Sequence, residues 1–516
     1  MHHIEGIDRN QMSFIALEEL VDQNSWARLV DLFVDSLPLS KLGFTKVVLK
    51  EEGRPPFHPA VLLKLYMYGY RHGLRSSRKL EHACKVNVEL WWLLNGQVPS
   101  NRTIAAFRKE NSKAFKNAFR HFVLMLKDWN LIDGETIAID SFKIRAQNSL
   151  KNNFNQKKID RHITYIDQKI AQYQDELDQA DNTDTKENLK KKIDHQQSKK
   201  DDYKAIEKEL NVSGGSQISK TDPDAKAVVL HRNIVNVGYN IQAGCDDKHK
   251  LFINAQTGDV NDIYALYPMA KEAKDLLNPK HMETLTDKGY TNGKVLAQCK
   301  NEGITTYSSP KEHSSPDNGL FAMKIFQYNA GNDTYTCPAN QRLLTNGSIY
   351  KKRNHRVKHY KTKACKECKI RSQCTINKNG RFIERGIYQE VLEENQQRVQ
   401  QNPDYYRLRQ QITEHQFGTL KRQWGFTYTL MKGKENVLSE VNLLFTIYNL
   451  KRALTILGPD RLKEYLKSHL TMLLGQIWAK ISEFRSILHL NHKSVNRLLI
   501  SAESFTYSRT RYFQYI

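Results

Sequence analysis

The sequence predicts a mixed α/β protein: a mixed sheet with flanking helices, joined to an all-helical N-terminal domain and carrying a helical-hairpin insert and a Cys-rich insert. Three observations lead there. Between residues 136 and 310, runs of period two alternate with segments of helical period, in the order strand, strand, strand, helix, strand, helix, strand. Residues 15–130 read as helices throughout. A heptad stripe follows the first strand and interrupts the sheet. At 39% hydrophobic and 26% charged, the 516 residues suit a soluble globular protein with room for a large core.

The N-terminal domain is expected over residues 1–130. After the loop "GRPPFHP", Leu62, Leu63, Leu65, Tyr66, Met67 and Tyr70 mark a buried helix. Ser77 can cap a following helix. Ser100 or Asn101, behind Pro99, can cap another that carries Arg102, Thr103 and Arg108. Two short helices with basic residues on the second fit a helix-turn-helix-like DNA reader, with Arg102 and Arg108 on the DNA; an ordinary helical bundle fits the same pattern.

A sheet-bearing core is expected over residues 131–150 and 221–310. "TIAIDSFKIRA" (136–146) gives its first strand, which ends at Asp140. Residues 151–220 read as an antiparallel coiled-coil hairpin: Ile163, Ile166, Ile170, Tyr173 and Leu177 step by 3, 4, 3 and 4, and "ADNTDT" turns the chain. Leu189, Ile193, Tyr203, Ile206 and Leu210 continue the stripe before the flexible "NVSGGSQISKTDPDA". Strands resume at "VNVGYNIQAGCD" and "HKLFINAQTGD", with a helix from about Asp262. "METLTDKGY" ends a strand on Asp287, Gly303 closes the next helix, and "ITTYSSP" is a last short strand. A basic Cys-rich insert (311–390), C-terminal helices of the core (391–456) and a basic helical tail (457–516) complete the order.

Lys and Arg outnumber Asp and Glu by 79 to 56, a net charge of +23 that calls for a polyanion such as nucleic acid. The excess is localised. Residues 151–210 carry 13 basic and 13 acidic side chains, whereas 351–380 carry 11 basic residues against the single acid Glu367. The run "YKKRNHRVKHYKTK", with Arg353 and Arg356, is therefore a candidate DNA contact. No run of 18 apolar residues exists, so no membrane span is expected. The N-terminus lacks the basic and apolar regions of a secretory signal, so a cytoplasmic, nucleoid-associated protein is expected.

Of seven cysteines, Cys337, Cys365, Cys368 and Cys374 cluster in "YTCPANQRL" and "KACKECKIRSQCT". Cys365 and Cys368 form a C-x₂-C knuckle that Cys337 and Cys374 can complete as a Cys₄ zinc site; reduced thiols without metal and disulfides are the alternatives.

Three carboxylates stand out. Asp140 and Asp287 end strands, and Glu414 sits in the helical stretch "YYRLRQQITEHQFGTLKRQWG", where Arg407, Glu414, Gly418 and Lys421 share a face. Three such groups can hold two hard divalent cations, and Mg²⁺ suits their oxygens. By contrast, "GDVND", with Asp259 and Asp262, reads as a turn and an N-cap.

The blocks "TIAIDSFKIRAQNS", "LTDKGYTNG" and "RLRQQITEHQFGTLKRQWG" resemble the DDE transposases of bacterial insertion sequences, whose catalytic core is ribonuclease-H-like. The last block resembles the Tyr–Arg–Glu–Lys signature of one branch, with Lys421 seven residues beyond Glu414. That branch places its Arg four residues before the glutamate, where Gln410 stands here, leaving Arg409 and Arg407 as candidates. "GRPPFHPAVLLKLYMYGYRHGLRSSRKLEHACKVN" is similar to the N-terminal domain of such enzymes, and many relatives carry a similar Cys-rich insert. The resemblance implies that Asp140, Asp287 and Glu414 are catalytic and bind two Mg²⁺ (or Mn²⁺), with structural Zn²⁺ at the cysteines. It also implies that Lys288, Arg409 and Lys421, with Arg407, meet phosphate. The expected partner is double-stranded DNA, at element ends and target, bound by a homodimer or higher oligomer. A metal-dependent nuclease without strand transfer and a non-catalytic zinc-bearing DNA-binding protein are the alternatives.

Overall fold

The computed structural model describes residues 10–12, 14–49, 51–231, 234–310, 319–352 and 355–488. The chain divides into two compact units, Met1–Ala118 with Asn449–Ile516, and Phe119–Tyr448.

The helical unit contains α1 (Trp26–Asp35), α2 (Pro59–Arg71), α3 (Ser77–Val86), α4 (Val88–Leu93), α5 (Asn101–Glu110) and the start of α6 (Ser112–Asp128). Pro59 opens α2 with φ already set for a helix, and His58 Nδ1 caps it by accepting from the Ala60 N–H. The helix is buried nearly all round, as its apolar run requires. Gly69 lets α3 cross closely: a Cβ there would lie 2.2 Å from Leu80 Cδ2 and 2.9 Å from the Leu74 carbonyl oxygen. Ser77 is the first residue of α3 rather than its cap; Ser76 holds that position without a side-chain bond. Ser100 does cap α5, accepting from the Thr103 N–H at 3.3 Å.

The larger unit begins with β1 (Thr136–Arg145). β2 (Asn153–Phe154), α7 (Gln156–Asp178), α8 (Thr183–Ser213) and β3 (Ile218–Ser219) form the inserted hairpin. Its root is sealed by Phe154, Ile159, Ile206, Leu210 and Ile218, with Ile163 and Tyr203 packed against them. Gly214, at φ +62°, ends α8 in the left-handed conformation.

β4 (Lys226–His231), β5 (Ile234–Asp246), β6 (Phe252–Gly258), α9 (Leu266–Leu277), β7 (Met282–Thr286), α10 (Gly293–Asn301) and β8 (Ile304–Ser308) complete the core. The sheet runs β4-β5-β1-β7-β8, and β6 also pairs with β5. β5 is antiparallel to β1 and to β6, while β7 and β8 run parallel to β1. Three antiparallel strands followed by two parallel ones make the expected ribonuclease-H-like mixed sheet. β1 is central, and Ile137, Ala138 and Ile139 are all fully buried because helices cover both faces. β4 was not anticipated. It occupies one half of the β5 edge and β6 the other, so "KAVVLH", to which no element was assigned, is a short edge strand of the expected core.

The Cys-rich region folds as two small sheets. β9 (Gln327–Asn329), β10 (Thr334–Thr336) and β11 (Arg342–Leu343) form one; β12 (Ile349–Lys352), β13 (His355–Lys361) and β14 (Phe382–Gly386) form the other, with α11 (Arg371–Cys374) between the last two strands. Phe326, Tyr335, Leu343, Tyr360 and Ile383 make their common core. Then come α12 (Gln389–Gln401), α13 (Pro403–Gly418) and a π-helical turn Thr419–Gln423. After α14 (Lys434–Leu457), α15 (Pro459–Leu488) packs on α1 within the helical unit, where Lys463 Nζ donates to the Gln23 carbonyl at 2.9 Å. The rest of the basic tail lies outside the described residues. Among the described residues no helix is long and apolar enough to cross a membrane.

Candidate active site

Sheet register brings two of the three singled-out carboxylates together. In the parallel ladder of β1 and β7, the last pair is Ile139 with Thr286. The next residues, Asp140 and Asp287, therefore leave adjoining strands at one level, about 5 Å apart by strand spacing. Asp287 stands at the tip of β7 as expected, and its Oδ1 also caps a 3₁₀ turn by accepting from the Lys288 N–H at 2.5 Å. Asp140 does not end its strand. β1 continues to Arg145 along β5, with Asp140 opposite Ala243; what ends at this level is β7, so β1 has no β7 partner beyond Ile139.

Helix α13 lies across β1, β5 and β7. Pro403 starts it, and Ile412, Thr413 and Gln416 are its buried stripe. Thr413 Oγ1 and Arg409 Nη1 both reach Asp140 Oδ2, at 3.2 and 3.5 Å, while the Ser141 N–H binds Oδ1 at 2.7 Å. Burial pushes the Asp140 carboxyl above its usual range. The Ser141 amide, Arg409 and Thr413 oppose that, and the neighbouring Asp287 charge adds to it. Helix phase separates the two arginines: Arg409 faces Asp140, whereas the Arg407 side chain is 76% exposed and pairs with Asp404.

Glu414 is the residue after Thr413. It is exposed and makes no hydrogen bond or ion pair among the described residues. The α period that would align it with Lys421 ends at Gly418, where the π turn intervenes. Lys421 instead packs its ammonium 5.5 Å from the centre of the Phe142 ring. Burial, then Lys143, lowers its pKa, and Asp140 raises it. Lys288 is exposed on the turn after Asp287.

Asp262 is a group the sequence reading missed. The N-cap of α9 is Ala265, and the Asp262 side chain instead accepts from Asn240 Nδ2 at 2.7 Å and from Gln242 Nε2. Gln242 in turn accepts from the buried Tyr290 hydroxyl. This polar chain props the 287–290 turn from below. A Cβ on Gly289 would meet Asp262 Oδ2 at 3.7 Å, an ordinary contact, so packing does not demand glycine there. The signal available in sequence was the alternation of Asn240 and Gln242, two polar residues on one face of a strand that is otherwise buried.

In the helical unit, Arg102 is exposed and stays available to DNA. Arg108 does not. It is only 6% exposed, donates to the Tyr70 hydroxyl at 2.6 Å and to the Arg75 carbonyl at 3.5 Å, and lies over the Tyr66 ring. Six residues, about 1.7 turns, separate Arg102 from Arg108 and set them roughly 120° apart round α5, one outward and one inward. Arg356 is exposed on β13, and Arg353 lies outside the described residues.

Cys337, Cys365, Cys368 and Cys374 are all free and partly exposed. Burial pushes the Cys374 thiol up, Arg381 pulls it down, and Cys365, Cys337 and Cys368 push it up further, so the four sulfurs share one neighbourhood. Among the described residues, however, no group of three or more His, Cys, Asp or Glu is gathered tightly enough to hold a metal ion. The donor chemistry fits the expected ions at both places, oxygen for a hard cation and thiol for zinc, but neither set is drawn in.

Residues 15–110 match the family model described as a transposase domain (DUF772), and residues 336–454 match the one described as a transposase DDE domain. The second match spans Arg409, Thr413 and Glu414 as well as the four clustered cysteines. No curated protein matches the chain. A solved structure titled as a cryo-EM structure of the piggyBac transposase synaptic complex with hairpin DNA is similar at 9% identity. It covers 88% of this chain and 81% of its own, at a TM-score of 0.28, too low to compare folds. By these two matches the chain carries a DUF772 transposase domain at residues 15–110 and a transposase DDE domain at residues 336–454, which together support a DDE transposase of insertion-sequence type.

Proposed function

We propose that the protein cleaves phosphodiester bonds at the terminal inverted repeats of an insertion sequence and joins the freed 3′-hydroxyl ends to target DNA. It works in the cytoplasm on the nucleoid, as a homodimer or higher oligomer. Asp140, Asp287 and Glu414 are its catalytic carboxylates and would hold two Mg²⁺ or Mn²⁺ ions. Those cations would supply activation of the attacking hydroxyl and stabilisation of the leaving oxygen.

The observation that carries this reading is the meeting of Asp140 and Asp287 at one sheet level, under a helix that bonds Asp140 through Thr413 and presents Glu414 one residue on. Arg409 opposes the rise that burial gives the Asp140 carboxyl, and Arg409 and Lys421 are positive groups on the same side of β1 for a DNA phosphate. Glu414, exposed and without a partner among the described residues, would turn toward a ligand that the two aspartates hold. The four cysteines would hold a structural Zn²⁺ that ties the turn at Cys365 and Cys368 to Cys337 and Cys374. The purified chain should then carry about one zinc, lost in Cys368→Ser.

The test is incubation of a labelled duplex from the end of the element with Mg²⁺ and either the wild type or Asp287→Asn. Nicks made only by the wild type, with DNA binding kept in the variant, support the reading, and joined products distinguish a transposase from a plain nuclease. Equal cutting by both proteins refutes the assignment of Asp287. Binding without cutting by either supports a DNA-binding protein instead.

A further inference from the structure

The β12–β13–β14 sheet has one covered face and one open face. Tyr360 and Ile383 point into the core of the Cys-rich region. On the other face the register puts Tyr350 opposite Val357 and Phe382 opposite Lys361, so Tyr350, His359 and Phe382 are diagonal neighbours on three adjoining strands. The rings touch. Tyr350 and His359 stack with centroids 4.3 Å apart and planes within 7°, and Phe382 meets His359 at 5.5 Å and 61°. Tyr350 is 39% exposed and Phe382 46%.

Single exposed aromatics are ordinary on a protein surface, but three contacting rings on one sheet face form a patch. Its rim is cationic. His355 and Lys361 are exposed, and Lys361 makes no ion pair among the described residues. The one acid on the face, Glu384, is neutralised by Lys352 at 2.6 Å, with His359 at 3.7 Å. A basic rim round flat rings fits a polyanion with flat apolar faces, and the chain's net charge of +23 points the same way. Nucleic acid has both properties. A duplex hides its base faces inside the stack and would use only the lysines; unpaired nucleotides expose base faces to the rings and phosphates to the rim.

We propose that this open sheet face is a stacking platform for unpaired nucleotides of DNA, in which Tyr350, His359 and Phe382 take base faces and His355 and Lys361 take the backbone. It rests on DNA being the substrate, as proposed above, and adds the form of the strand: opened or cut ends rather than intact duplex.

The test measures binding by the full chain, without added Mg²⁺ or Mn²⁺ and without chelator so that cleavage is prevented and zinc is kept, of a fluorescein-labelled oligothymidylate of about 12 nucleotides and of a duplex of equal length. Tyr350→Ala and Phe382→Ala should each weaken oligothymidylate binding about tenfold, while duplex affinity holds and so reports an intact fold. Tyr350→Trp, which keeps a ring, should bind oligothymidylate at least as well as the wild type. Unchanged oligothymidylate affinity in the alanine variants overturns the platform. So does a parallel fall in both affinities, which would mark a charged patch or lost fold. A wild type that binds duplex but not oligothymidylate overturns the platform alone, whereas one that binds neither removes the DNA reading with it.

Discussion

Removing the Arg409 guanidinium leaves Asp140 buried without its countercharge. The Nη1–Oδ2 separation is 3.5 Å, with the side chains 15% and 25% exposed. At an effective dielectric constant of about 20, that spacing corresponds to roughly 5 kcal/mol of attraction, which partial exposure to water and salt reduces to about 1–3 kcal/mol. The sign with pH is fixed by Asp140, whose pKa in the fold is already raised by burial. A raised carboxyl binds more protons folded than unfolded, so stability falls as pH rises through the interval above its ordinary range, about pH 4 upward. Arg409→Ala raises that pKa further and steepens the fall. Urea unfolding at pH 5 and pH 7.5 should therefore show a larger loss at the higher pH. The loss should shrink when Asp140→Asn is added, because the variant amide no longer needs a countercharge. Equal loss at both pH values, or equal loss in the Asp140→Asn background, would refute this electrostatic account.

Two further perturbations test the fold and the support of the site. Gly69→Ala sets a methyl against Leu80 and the Leu74 carbonyl and should cost roughly 1–3 kcal/mol, read as a lowered urea midpoint; a neutral result would mean that α3 can retreat from α2. Asp262→Ala frees Asn240 and Gln242 beneath the turn that carries Asp287, and cleavage should fall about 10- to 100-fold with DNA affinity kept, whereas full cleavage would show that the network only fills space.

The elements that sequence made legible are those whose own pattern decides them. Ile137 and Ile139 announce β1, the run Leu62–Tyr70 announces α2, and Gly303 ends α10 at φ +66°. Asp287 could be placed on a strand tip because the short run "METLT" reads as a strand and the "DKGY" that follows breaks it. What stayed hidden depends on partners distant in the chain. β4 is recognisable only through the free edge that β5 offers it. Arg108 and Arg102 have the same chemistry and differ only in which side of α5 the bundle covers. Arg409 and Arg407 differ only through the phase of α13 on the sheet, and the π turn that moves Lys421 has no composition cue. Asp262 looked like a cap because Asn240 and Gln242, its true partners, lie on the neighbouring strand.

The claim that Asp140, Asp287 and Glu414 act as one cation site is tested most directly by titrating Mn²⁺ into the protein bound to a pre-cut element-end duplex that lacks its terminal 3′-hydroxyl, so that no joining follows. Bound metal would be read by electron paramagnetic resonance in the wild type and in Glu414→Gln. The account predicts two bound ions in the wild type and the loss or marked weakening of at least one in the variant, with duplex affinity unchanged. The same number of ions at the same affinity in both proteins would contradict it.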